Sequence, residues 1–457
     1  MTRNAEGATI VAASVLAGFA VSLVNFARDR SIDAQVALTF LVFLMAFGGL
    51  YLAVRAFAPK ATPLLLAPVA ALTALGFFQV YRLDLALGTN RAGLQRWWIL
   101  IGAGVAALTL ALLARRSISV LRRYRNITLM VSFFLLLLPN LPSDWGFPLR
   151  GLEVNGSRLW IILDVGFTSL QFQPAELAKL GLVAYVAGYL ADHQRALREA
   201  RRHLGPIRFP EPRQLIPLLV TWGISVLILI SQRDLGASLL LFVGFVLLLY
   251  AATGTTGYLV TGAFLGLVAA VASFLAFGHV QRRILAWLSP FEHYQDEGYQ
   301  IAQGLFAMGT GSLTGSGPGL GRPDLIPNAS TDFIFAAVGE ELGFAGTVSV
   351  LALFALVVTV GLGIAFRSRD TFRKLLAAGL TFVLAVQTFL IIGGIVRLVP
   401  LTGITLPFMS YGGSALVGNL ILIALLLRIS HEEAPCTARF AVSRSGSSPP
   451  SSSSWSR

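Results

Sequence analysis

Apolar runs of helix length recur along the whole chain, separated by short polar loops. Twelve such segments stand out, at roughly 8–26, 36–57, 63–80, 97–113, 127–141, 175–190, 215–230, 236–252, 258–277, 333–366, 375–396 and 408–428. A hydrocarbon layer about 30 Å thick is crossed by roughly 20 apolar residues in a helix. The expected fold class is therefore an all-α polytopic integral membrane protein with about twelve transmembrane helices. The fifth segment is short, and Pro139 and Pro142 mark its end. The first is too long for the apolar part of a signal peptide and lacks a clear cleavage site, so it reads as an anchor.

One large polar stretch interrupts this pattern between spans nine and ten, at 289–344. It holds clustered acids and a glycine-rich run, and long ordered loops usually carry function. Span ten, 333–366, is 34 residues, or about 51 Å as one helix. That exceeds the hydrocarbon by about 20 Å. Arg367 and Arg369 fix the far end, so the surplus is expected to project from the membrane with Asp332, Glu340 and Glu341. Gly343 and Gly346 are the candidate kink points. The glycine-rich run 311–321 lacks the Lys-Ser/Thr of a phosphate loop, so it reads as a flexible cover, and no organic cofactor is expected.

Composition agrees with a membrane protein: 55% of residues are apolar and 12% charged, against about 25% charged in soluble domains. A net charge of +13 would suit a nucleic-acid partner, but the arginines sit in short loops between spans. Arg115, Arg116, Arg122, Arg123 and Arg125 follow span four; Arg195, Arg198, Arg201, Arg202, Arg208 and Arg213 follow span six; Arg367, Arg369, Arg373 and Lys374 follow span ten. An even number of spans separates these loops, so one topology puts them all, and both termini, in the cytoplasm. No nucleic-acid partner is expected. The loop 142–174 and the stretch 289–344 then face outward. The one cysteine, Cys436, excludes an intramolecular disulfide.

Polar groups near the membrane supply the candidate chemistry. The outer loop 142–174 carries Asn155-Gly156-Ser157-Arg158 and leads into Gln173-Pro174-Ala175-Glu176-Leu177-Ala178-Lys179. Glu176 and Lys179 share a helix face, either as a structural ion pair or lining a cavity. Asp234, in Asp234-Leu235-Gly236, is either a helix N-cap or a cavity acid. Gln387 and Arg397 flank a proline- and glycine-rich crossover into the last span, where broken backbone is tolerated only when buried or lining a cavity.

At these residues the chain resembles the SEDS family of shape, elongation, division and sporulation proteins. The resemblance rests on the 173–179 and 234–236 motifs, Gly298-Tyr299-Gln300, Thr331-Asp332-Phe333-Ile334-Phe335-Ala336 with Gly339-Glu340-Glu341-Leu342-Gly343, and Leu406-Pro407-Phe408-Met409-Ser410-Tyr411-Gly412-Gly413-Ser414, in family order over about 140–430. It implies a peptidoglycan glycosyltransferase that polymerises lipid II on the outer face of the cytoplasmic membrane, for elongation or division, beside a class B penicillin-binding protein. It aligns Asp332 with the family's essential acid and Asp324 with a second acid in the loop. Glu176 and Lys179 match a polar pair in the family's central cavity, and Asp234 matches an acid at the next outer turn. Where the family usually has Pro-Glu-x-His, this chain has Pro327-Asn328-Ala329-Ser330, which removes one acid and one base. The resemblance also divides the chain into N-terminal spans 1–140 with a two-span extension and a catalytic membrane core 141–430; the tail 431–457, rich in Ser, Pro and Arg, is expected to be disordered. The segment from Phe57-Ala58-Pro59 to Tyr81-Arg82-Leu83-Asp84 resembles the long N-terminal form of actinobacterial RodA-type members.

The chemistry that follows uses Asp332 as a general base on a sugar hydroxyl. Asp324, Glu176, Lys179, Asp234, Arg158, Glu340, Glu341 and Arg397 are expected to line the substrate cavity. Positive charge for the departing pyrophosphate comes from a divalent metal (Mg or Mn) on Asp332 or Asp324, or from Arg282, Arg283 or Lys179. Two readings compete with catalysis at Asp332: an N-cap of span ten, and a lipid II flippase or other transporter, since intramembrane charges mark transport paths too.

Overall fold

The computed structural model describes residues 3–29, 34–142, 149–154, 157–164, 169–199, 202–204, 207–209, 212–296 and 298–434. Most of the expected tail, with Cys436, lies outside the described residues.

Each of the twelve apolar segments coincides with a helix. In chain order the helices are α1 (Arg3–Asp29), α2 (Ala34–Phe57), α3 (Leu66–Leu87), α4 (Arg91–Ala114), α5 (Val120–Arg123), α6 (Arg125–Leu137), α7 (Ala175–Glu199), α8 (Pro212–Ser231), α9 (Leu235–Thr253), α10 (Gly257–Ala276), α11 (Gly278–Leu288), α12 (Gly298–Gly311), α13 (Ile334–Arg367), α14 (Thr371–Ile395) and α15 (Gly413–Glu433). Among the described residues nine of these are long and apolar enough to cross a membrane: α1 to α4, α9, α10 and α13 to α15. Two shorter apolar helices, Arg125–Asn140 and Leu215–Ser231, join them. The molecule is a polytopic helical membrane protein.

Capping sets several boundaries. The Asp370 carboxylate accepts the Arg373 N–H at the start of α14, at 2.9 Å. Gly88 and Gly254 end α3 and α9 in the left-handed conformation. Helices α14 and α15 form the centre of the bundle and are buried along most of their length. Around them, α15 packs on α4, and α14 on α7, α9 and α13. Peripheral α10 keeps only Gly257, Tyr258 and Gly262 buried, so its apolar side chains face lipid. Two small sheets were not expected. Strands β1 (Leu149–Val154), β2 (Ser157–Asp164) and β3 (Ser169–Phe172) form an antiparallel sheet in the loop before α7, and β4 (Arg202–Leu204) pairs with β5 (Ile207–Phe209).

The longest helix departs from the sequence reading. Gly343 has φ 66° and ψ −163°, which divides α13 in two. The part after it runs to Arg367 and spans about 36 Å, close to the hydrocarbon thickness. The part before it is enclosed by protein, with every residue from Ile334 to Glu341 buried. The expected outward surplus is therefore folded back into the bundle, and Glu340 and Glu341 do not project from it. Packing explains the break: a Cβ on Gly343 would stand 2.3 Å from the Gly315 nitrogen, so the glycine-rich loop closes directly on the kink.

Gly343→Ala should therefore lower the thermal midpoint of the purified protein, by about 1–3 kcal/mol for the backbone strain alone and more through the clash. Gly363→Ala in the same helix, where a Cβ meets nothing within 4 Å, should leave the midpoint unchanged or slightly raised. Equal midpoints for the two variants in detergent would refute the kink.

Candidate functional site

A group of ionisable side chains gathers where α7, α9, α11 and the start of α13 meet the crossover between α14 and α15. Pro174 precedes α7, whose first turns present Glu176 and Lys179. The Lys179 ammonium lies 2.5 Å from the Glu176 carboxylate and donates to the Gln387 side-chain oxygen at 3.0 Å. Gln387 in turn donates to the Thr405 carbonyl at 2.8 Å. One chain of hydrogen bonds thus joins α7, α14 and the crossover. Asp234 caps α9 by accepting the Ala237 N–H at 2.8 Å, and it also feels the charges of Glu176, Arg283 and Lys179. The cap reading of Asp234 holds.

Asp332 completes the group. Helix α13 begins at Ile334 with no side-chain cap, so the capping explanation for Asp332 fails. Its carboxylate is half-buried. The Asp332 Oδ2 lies 3.7 Å, and the Arg283 guanidinium 3.5 Å, from where a Cβ on exposed Gly403 would stand. Asp332 and Arg283 therefore flank one small opening, which a side chain at residue 403 would fill. Arg283 is held by the Thr402 carbonyl at 3.1 Å. Residues just before Asp332 are pinned to the crossover. Tyr411 N–H donates to the Ser330 carbonyl at 2.7 Å, and the Ser410 hydroxyl donates to the Thr331 carbonyl at 2.5 Å. Gln300 holds the Pro327 carbonyl at 3.1 Å. Gln300, Ser410 and Tyr411, one or two from each flanking motif, thus hold the backbone leading into Asp332.

Burial sets the electrostatics. Asp332 is pushed up to about 6 by burial, against the Thr331 hydrogen bond and the Arg283 charge. Asp234 is likewise pushed up to about 6, mainly by burial. Both carboxyls thus titrate close to neutrality, where a group can both accept and release a proton.

The other expected residues lie elsewhere. Glu341 pairs with Arg82 at 3.0 Å, and Arg82 also donates to the Gly321 carbonyl at 2.8 Å. Glu340 accepts the Arg322 N–H at 2.7 Å. Asp324 pairs with Arg322 at 3.1 Å. These three acids form a second cluster that straps the glycine-rich loop to α13 and α3. They were expected beside Asp332, but a helix N-terminus and a turn separate positions that are close in sequence. The loop expected as a flexible cover is likewise anchored, with Ser316 and Gly317 donating to the Glu340 and Glu341 carbonyls at 2.9 and 3.1 Å. Arg158 pairs with exposed Glu153 at 2.9 Å across the small sheet. Arg397 donates to the Trp287 and Leu288 carbonyls at 3.1 and 2.9 Å, fastening the end of α11.

Asp324 and Asp332 thus belong to different clusters, and among the described residues no three His, Cys, Asp or Glu side chains form a metal-binding group. One carboxylate, Asp332, faces the opening, which fits an ion that draws its other oxygens from substrate and water rather than an all-protein cage. A cavity of about 610 Å³ between α12, α13 and α14 is apolar and contains none of these charged groups. Sequence reading offered Arg283 only as one of three cations. Its signal was the spacing of Arg283 and Trp287 in the amphipathic segment 278–288, which forms a helix of its own.

These features define a site of acids and a guanidinium within the helical bundle, held by the hydrogen bonds of the crossover between α14 and α15. The chain belongs to the FtsW/RodA/SpoVE family of cell cycle proteins, whose profile matches residues 62–434. It is 41% identical over 435 residues to the peptidoglycan glycosyltransferase RodA of Mycobacterium tuberculosis, covering 94% of this chain and 90% of that one. It is 32% identical over 333 residues to stage V sporulation protein E of Bacillus subtilis, covering 72% of this chain and 85% of that one. A solved peptidoglycan synthase complex that coordinates polymerisation and crosslinking contains a chain with a TM-score of 0.63 and 26% identity, over 80% of this chain and 96% of that one. The family profile begins after α1 and α2, whereas the mycobacterial match must include part of them.

Asp234→Asn separates burial cost from capping, because Asn caps as well as Asp. A carboxyl whose folded pKa lies above its unfolded value adds no cost at low pH. The cost grows as pH rises from about 4 and is complete above about 6. Asp234→Asn should therefore match the wild type at pH 4 and be more stable at pH 8, by at most about 3 kcal/mol. A gain confined to acid pH, read by thermal unfolding, would contradict this.

Proposed function

We propose that this chain is a peptidoglycan glycosyltransferase that polymerises lipid II into glycan strands, with Asp332 as the general base. The observation that carries the assignment of Asp332 is its position: a half-buried carboxylate that caps no helix, set beside Arg283 at an opening formed by exposed Gly403. The names of the mycobacterial relative and the synthase complex support the reaction class.

In the reaction, a sugar 4-hydroxyl attacks the C1 carbon of a second sugar that carries a pyrophosphate-lipid. The new bond is C1 to oxygen, and the bond that breaks is C1 to the phosphate oxygen. Asp332 takes the hydroxyl proton as the bond forms, a role that typically contributes about 10²–10⁴-fold. Arg283 faces the same opening and supplies positive charge for the departing pyrophosphate. Lys179 is tied to Glu176 and Gln387, so it orients α7 against the crossover. A divalent ion (Mg or Mn), were one bound, would be held by Asp332 and would supply further positive charge to the departing pyrophosphate, which a chelator would test.

Basic loops after α4, α7 and α13 support a location in the cytoplasmic membrane with both termini inside and the Asp332 opening outward. That side presents lipid-linked sugars to the site and gives access to a crosslinking partner, which we assign as a class B penicillin-binding protein.

Asp332→Asn should fold with an unchanged or raised thermal midpoint, since it removes a carboxylate made costly by burial. It should lose lipid II polymerisation by about 10²-fold or more. Wild-type turnover should fall as pH drops through about 6, because protonation removes the base. A gel assay of glycan products settles both points. Wild-type rates for Asp332→Asn would remove this residue from the mechanism, and lipid II translocation without glycan product would favour transport.

A further inference from the structure

At the end of the bundle away from Asp332, a cavity of about 390 Å³ opens between the ends of α4 and α15, the link from α2 to α3, and the first turn of α14. It is lined by Lys60, Arg115, Arg116, Arg373, Arg428 and Glu432, among others. Two of these cations are neutralised. Arg373 lies 2.8 Å from Glu432 and 3.0 Å from Glu433, and Arg428 lies 2.9 Å from Glu432. Lys60, Arg115 and Arg116 are exposed, and no ion pair joins them to a described carboxylate. Five cations against two carboxylates leave a surplus of three around one concave site.

A neighbouring cavity carries a smaller surplus, of two. Arg122, Arg123 and Arg125 line it with Asp192, and Asp192 pairs with both Arg122 and Arg125. Basic loops orient spans wherever their charges lie near the helix ends. Orientation does not require Lys60, from a different loop, to converge with Arg115 and Arg116. The surface next to the basic cavity is apolar and uncovered. Leu108 and Leu112 follow one face of α4 up to Arg115, at 56% and 62% exposure, and Leu52 and Phe57 lie on α2, which packs against α4.

We propose that this cavity binds the headgroup of one anionic phospholipid. The phosphate sits among Lys60, Arg115 and Arg116, and the acyl chains run along the exposed leucines of α4 and the exposed face of α2. The apolar faces favour a lipid over a free anion, because a soluble phosphate would leave them unused. Each basic residue near a membrane surface attracts an anionic lipid by about 1 kcal/mol, so the three together give a selectivity that can be measured. The site needs only a membrane surface at these helix ends, so it stands whether or not Asp332 is catalytic.

The test uses the full chain in nanodiscs of phosphatidylcholine with a minor fraction of phosphatidylglycerol, followed by native mass spectrometry of retained lipid. Wild type should retain one phosphatidylglycerol with a preference of about tenfold or more. Lys60→Gln/Arg115→Gln/Arg116→Gln should reduce that preference to about twofold or less while still polymerising lipid II in neutral lipid. Arg122→Gln/Arg123→Gln removes two charges from the same loop outside the cavity and should keep the preference. If both variants lose it equally, the attraction is diffuse and the site does not exist. Inorganic phosphate at millimolar concentration should not displace the lipid; displacement would mean a site for free anions. Should the triple variant fail to insert, Lys60→Gln alone, outside the arginine loop, should still lower the preference several-fold, and an unchanged preference would overturn the proposal.

Discussion

The architecture depends on a constraint that the bilayer imposes: irregular backbone inside a membrane bundle must find its hydrogen bonds within the protein. The crossover between α14 and α15 breaks the helical ladder over many residues, and its groups are satisfied by partners distant in sequence. Ser410 bridges the Leu406 N–H and the Thr331 carbonyl, Tyr411 N–H reaches Ser330, and Gln387 reaches Thr405. Those same bonds fix the segment that carries Asp332. Satisfying the crossover and positioning the acid are therefore one interaction, and neither element can shift without breaking the other.

Much of this was legible in the sequence, for identifiable reasons. Length and hydropathy put a helix at each of the twelve apolar segments because the solvent fixes a minimum length for a span, although among the described residues nine are long and apolar enough to cross. Gly343 was nameable as a kink because only glycine is at ease with φ 66°. Glu176 and Lys179 pair as their spacing requires. The strands at 149–172 escaped because they are short and pair only with one another beyond the bundle. Helix α11 escaped because its polar face follows span nine without a clear break.

The division of the acids was the harder matter. Asp324, Asp332, Glu340 and Glu341 fall within eighteen residues, and a linear reading puts them together. The fold sends Asp332 towards Arg283 and the others towards Arg82 and Arg322. The sequence held no sign of which arginine would meet which acid, since Arg82 and Arg283 lie about 200 positions apart. Overlength misled in the same way. A 34-residue apolar run fits a protruding helix and a span with a buried half-helix equally well, and tertiary packing on Gly315 decides between them.

What distinguishes Asp332 from its neighbours is how little it does for the fold. Glu341 holds Arg82, Glu340 holds a loop amide, and Asp234 caps α9, so each serves the fold through a hydrogen bond or ion pair, even though burial still raises the pKa of Asp234. Asp332 begins no helix, and burial raises its pKa despite a nearby guanidinium. A carboxylate in that setting lowers stability at neutral pH, where an asparagine would not. Positions that break local rules without a structural return are where function is expected to lie. The same reasoning separates the two arginine groups: Arg82 is spent on strapping a loop, whereas Arg283 keeps part of its guanidinium at the opening beside Gly403.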